Sequence, residues 1–178
     1  MAIDKIQSES INLADNFAFT GTVSGAGGIT EADQFRLTTN LVGTNADITS
    51  NLERVDDASF EKIGTGMTNS SGIFSFPSTG LYQVMVQANV YTPTQDNAYV
   101  ETNVTINNSD YDTTTRCGMS ASNSYEDSAT SMCLVNVTNT SNVKVKFTTD
   151  SFASGSGLNG NTNISYTSFM FIRLGDSQ

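Results

Sequence analysis

The chain has 178 residues, 18 acidic against 8 basic side chains, a net charge of −10 and no histidine. The acidic balance argues against nucleic acid or an anionic membrane surface as a partner. Without histidine the commonest general base is gone, and with it every histidine-containing triad or metal cluster. Only 15% of the residues are charged, while Asn, Thr, Ser and Gly abound, a composition that predicts many short strands and turns in one sizeable β domain. No apolar run reaches membrane-spanning length, so membrane insertion is not expected. The opening MAIDKIQSES has no apolar signal core, and we expect a chain made without a secretory signal.

Residues 1–30 read as an extended arm. Ile11, Leu13, Phe17, Phe19 and Val23 are spaced among polar residues like one side of a strand, and Gly25, Gly27 and Gly28 form a flexible joint. Too short to bury a core alone, this arm must lie on the domain or on a partner. Residues 31–178 are assigned to one β-sandwich domain. Its first strand has Phe35, Leu37 and Thr39 in alternation, a loop follows around residues 40–45, and Val55, Phe60 and Ile63 are expected core contacts between polar turns.

The stretch SSGIFSFPSTGLYQVMVQANVY, residues 70–91, is the most informative. Ile73 to Phe76 is a short apolar run, Pro77 removes a backbone donor, and Gly80 permits a turn. From Tyr82 the period is two: Tyr82, Val84, Val86, Ala88 and Val90 share one face, with Met85 as the apolar exception on the other. Next, Val100, Val104 and Ile106 predict a strand. Residues 113–121 and 130–138 read as the arms of a hairpin that sets Cys117 opposite Cys133, close enough for a disulfide, although two buried thiols fit as well. Val143, Val145 and Phe147 alternate with Lys144 and Lys146. The last strand, NISYTSFMFIRL, is apolar on both faces, Met170 and Ile172 on one, Phe169 and Phe171 on the other. A strand apolar on both faces needs cover on both, so an oligomer is expected, with Phe169 and Phe171 as its contact residues.

No catalytic constellation emerges, and no cofactor is expected. Asp56–Asp57 and Glu126–Asp127 lie in polar turns, where adjacent carboxylates are solvated. Asp110 and Asp112 have calcium-ligand spacing, but a turn rich in Asn and Asp gives the same pattern without an ion.

Gly72, Phe74, Pro77, Gly80 and Tyr82 stand in an order that resembles the signature of C1q/TNF-like jelly rolls. The resemblance spans roughly residues 50–176 and implies a compact sandwich of about ten strands that trimerises with its terminal strand near the three-fold axis. The opening MAIDKIQSESINLADNFAFTGTVSGAGG resembles the starts of tailed-phage structural proteins, particularly of cyanobacterial and other marine phages, and ERVDDASFEKIGTGMTNSSGIFSFPSTGLY resembles their C1q-like modules. That second resemblance implies a non-enzymatic virion protein, made in the bacterial host cytoplasm. The expected role is a trimeric capsid decoration or cement protein, held by its arm on the major capsid protein or another virion protein. The alternative is a tail- or head-fibre module that recognises a host-surface glycan through loops at residues 91–98 or 107–116.

Overall fold

The computed structural model describes residues 28–43, 45–58, 60–93, 96–121 and 126–178. Among these, all regular structure is strand. Twelve strands form two antiparallel sheets. The larger holds β1 (Ala32–Leu37), β2 (Leu41–Val42), β3 (Leu52–Arg54), β6 (Gly80–Tyr91), β9 (Glu126–Val137), β11 (Gly157–Leu158) and β12 (Ser168–Gly175). The smaller runs in the order β4 (Thr68–Ser70), β5 (Ile73–Ser75), β10 (Lys144–Asp150), β7 (Asp96–Thr105), β8 (Asp112–Ala121).

The 70–91 stretch explains how the sheets are joined. Ser71 and Gly72 link β4 to β5 with φ of 49° and 83°, the paired positive values of a two-residue hairpin turn. Gly72 is required twice over, because a Cβ there would fall 2.1 Å from the Ile48 carbonyl oxygen. Pro77 follows β5, and residues 76–79 carry the chain from the smaller sheet to the larger, where β6 begins at Gly80. Pairing cannot continue through Pro77, so the chain changes layer there. The Tyr82 hydroxyl closes this corner, 2.9 Å from the Ser78 hydroxyl and donating to the Ser78 carbonyl at 3.2 Å.

β6 organises the larger sheet. β9 runs along one edge over its full length, while β12 and then β11 share the other. Its inward residues Tyr82, Val84, Val86, Ala88 and Val90 are buried. Against them packs an aromatic cluster centred on Phe74, whose ring lies 5.1 Å from Phe35, 5.7 Å from Phe147 and 5.0 Å from Phe171. Phe147 and Phe169 are 4.3 Å apart.

Several expectations need correction. Phe169 and Phe171 are 0% and 1% exposed within a single chain, so they are core residues and no neighbouring chain can reach them. They pair with Val86 and Val84 of β6 and share the inward phase of that strand, which alternation within β12 alone does not reveal. The outward residues are Met170 and Ile172. The segments expected to form a hairpin, β8 and β9, belong to different sheets: β8 pairs with β7 and β9 with β6. Cys117 and Cys133 are accordingly free thiols, one facing the core from each sheet. Of the three expected core contacts before β4, Val55 is buried, Phe60 is half-buried and Ile63 is exposed at the edge, where it bridges Ala32. Ile106 lies beyond β7 and is exposed.

Candidate interaction face

The outer surface of the larger sheet is built by register. Met170, Met85 and Met132 stand side by side across β12, β6 and β9. Ile172, Gln83 and Leu134 form the next row, and Ser168, Gln87 and Thr130 the row on the other side. Gln34 of β1 extends the methionine row, and Leu81 pairs with Asn136 at the sheet's end. Each is an out-of-phase neighbour of a core residue, because successive side chains on a strand alternate between faces. None of these residues is charged, in a chain of net charge −10. Met132 and Leu134 are 57% and 60% exposed, while Met85, Met170 and Ile172 are half-buried by their row neighbours. Gln83 Nε2 donates to the Met132 sulfur at 3.5 Å, which ties two rows together.

One flank of this face is fenced by charge. Arg36 rises from the outward side of β1 and is 1% exposed. Its Nε donates to Glu53 at 2.8 Å, Nη1 to Asp57 at 3.0 Å and Nη2 to Asp56 at 2.7 Å. Burial alone would pull the guanidinium pKa down, but the Glu53 hydrogen bond and the charges of Asp57, Glu53 and Asp56 outweigh it and hold the pKa above its usual value. The Asp56–Asp57 pair therefore has a structural task, to pin the chain after β3. A second ion pair closes the edge: the buried Asp33 accepts from both Nε and Nη2 of Arg54 and from the Met67 amide.

Other candidates resolve differently. The Asp110 carboxylate accepts from Asn107 Nδ2, and Asn107 Oδ1 accepts from the Ser109 and Asp110 amides. Among the described residues no group of three or more Cys, Asp or Glu is placed to hold a metal. Burial pushes both thiols up, so Cys117 and Cys133 are poor nucleophiles. A cleft of about 480 Å³ opens between β3 and β4, lined by Phe35, Leu52, Arg54 and Met67, but its cation is already spent on Asp33 and on the Phe35 ring. Gly72, Phe74, Pro77, Gly80 and Tyr82 all sit at the turn, corner and core just described. The arm residues Ile11, Leu13, Phe17, Phe19 and Val23 lie outside the described residues, as does most of the 1–30 segment.

Sequence reasoning missed most of the outer face. The signal was available: Met85 breaks the polar side of β6, and SMCLVNV in β9 is apolar in both phases, as β12 is.

No protein-family model matches the chain, and no curated protein sequence does. Solved structures do. The structure of Eiger TNF from S. frugiperda superposes with a TM-score of 0.64 at 16% identity, covering 85% of this chain and 96% of that one. Murine APRIL at pH 5.0 superposes with a TM-score of 0.62 at 12% identity, covering 81% and 98%. The two sheets, their strand order and these superpositions identify the fold as a TNF-like jelly-roll sandwich.

Proposed function

We propose that this protein is a non-enzymatic, homotrimeric structural component of a virus particle, a capsid decoration protein whose arm, residues 1–30, grips a capsid protein. The observation that carries the assembly is the uncharged methionine and leucine face on an otherwise acidic chain. An uncharged patch of this kind, with methionine and leucine at its centre and polar amides around them, has the composition of a protein interface rather than of free surface. A second copy is its natural cover, because strand-built faces repeated about a closed axis satisfy every copy equally. The virion assignment rests on the resemblance of residues 1–28 to the openings of phage structural proteins, and on Phe17 and Phe19, which need cover in an arm suited to strand addition. Threefold repetition multiplies a weak arm contact into firm attachment.

The test is deletion of residues 2–24, followed by binding to capsids stripped of this protein. We expect the truncated protein to stay trimeric and lose attachment. A truncated trimer that saturates the shell with wild-type affinity contradicts the arm model.

One observation favours the glycan-binding alternative. The 107–110 turn is stapled by its own side chains, and beside it the Tyr111 ring carries Lys146 Nζ at 4.6 Å, itself paired with Asp47 at 2.8 Å. Such a preordered aromatic and polar surface suits a sugar. Copy number separates the two readings: hundreds per particle fit decoration, and a handful fit a fibre tip.

A further inference from the structure

The chain has six methionines, and the five described ones divide into two in the core and three on the outer face. Met67 and Met119 are 3% and 5% exposed in the core, Met132 is 57% exposed, and Met85 and Met170 stand beside Met132 in one cross-strand row. Three thioethers abreast at the centre of an uncharged face have a chemical consequence that leucine would not. A thioether is apolar and adaptable when reduced, and becomes a polar, chiral sulfoxide when oxidised.

We infer that the Met85–Met132–Met170 row makes assembly sensitive to peroxide: oxidation of the unassembled chain blocks trimer formation, and assembly shields the same sulfurs. The inference rests on the reading of this face as the contact between copies. In the reaction the methionine sulfur donates an electron pair to one peroxide oxygen. The O–O bond breaks, an S–O bond forms, and the second oxygen leaves as water. The sulfur is oxidised by two electrons and the peroxide is reduced by two. The new S=O is a strong acceptor in a row that is otherwise apolar. The amides of Gln83, Gln87 and Gln34 flank the row, and Gln83 already donates to Met132. Docking a second copy then has to desolvate polar sulfoxides where apolar thioethers had packed, and to draw the flanking amides toward them, a cost repeated in every subunit. Order of attack follows exposure: Met132 first, Met85 and Met170 after it, Met67 and Met119 last.

The experiment dilutes the purified protein below its assembly concentration, treats it with hydrogen peroxide, quenches, reconcentrates, and reads mass in native buffer alongside peptide mass spectrometry. We expect sulfoxide at Met132 and its row neighbours, Met67 and Met119 spared, and a rise of about tenfold or more in the concentration needed for trimers. Treatment with methionine sulfoxide reductases should restore assembly. The volume-conserving triple variant Met85→Leu, Met132→Leu, Met170→Leu should assemble equally before and after peroxide. Oxidised wild type that re-forms trimers at the original concentration overturns the inference while leaving the trimer intact. Failure of the reductases to restore assembly overturns it too, because the damage then lies elsewhere. A chain that is monomeric before any treatment overturns the assembly reading first, and this inference with it.

Discussion

β12 and β6 carry two faces built from alternate residues of the same strands, and the faces differ in kind. Inward, Phe169 and Phe171 meet Val86, Val84 and the Phe74 cluster, with rings held 4.3 to 6.5 Å apart. Outward, Met170 and Ile172 meet Met85, Gln83, Met132 and Leu134 in rows that stay partly wet. Rigid rings with few rotamers define a core that must have one arrangement. Flexible thioethers and amides suit a surface that has to accept a partner. On the assembly proposed above, a single strand specifies a fold on one side and an association on the other, and the two should respond to mutation independently.

The largest effect is expected on the inward side. Phe74→Ala removes the ring around which Phe35, Phe147 and Phe171 are arranged, and should cost about 4 kcal/mol in denaturant unfolding. A loss under about 1 kcal/mol would mean that the cluster is not the centre of the core. Arg36→Leu probes the fence beside the outer face. It leaves Glu53, Asp56 and Asp57 together without their shared cation, and should cost about 2 kcal/mol, part of it recovered at high salt. An unchanged midpoint in denaturant, at any salt, would show that the three carboxylates separate freely.

How much of this was legible in the residues is clearest from β6 and β12. The inward phase of β6 could be read because Pro77, Gly80 and Tyr82 mark the corner and only one side of the strand is continuously apolar. β12 offered two apolar sides, and nothing local ranks Phe169 and Phe171 against Met170 and Ile172. The choice is made by cross-strand partners eighty and more positions away. The same limit hid the separation of β8 from β9, since a polar link between two alternating strands looks alike whether they pair or pass to different sheets. Arg36 gave no local sign at all, because its three partners converge on it from residues 53–57 only after β1 and β3 have paired.

The smallest effect belongs to the other sheet and is read by pH. Burial would raise the Asp47 carboxyl, but hydrogen bonds from Lys146 and Thr148, with the charge of Lys146, outweigh it and hold it below the usual range. A folded pKa below the unfolded value means that the contribution is present in full above about pH 4 and is lost as the pH falls through the folded value. The pair is partly exposed, so screening leaves about 0.5 kcal/mol. Asp47→Asn should lose that amount at neutral pH and flatten the acid limb of stability. An identical acid limb in the variant would remove Asp47 from the account.

The central claim is that the outer face of the larger sheet joins copies of this chain while the inner face folds it. Sedimentation of wild type and of Leu134→Asp, each followed by a thermal melt, tests it most directly. The account predicts a wild-type trimer and a folded monomer for Leu134→Asp, whose melt still shows one cooperative transition, because Leu134 is 60% exposed and a carboxylate there disturbs no core contact. A monomeric wild type, or a Leu134→Asp variant that remains trimeric, would contradict it.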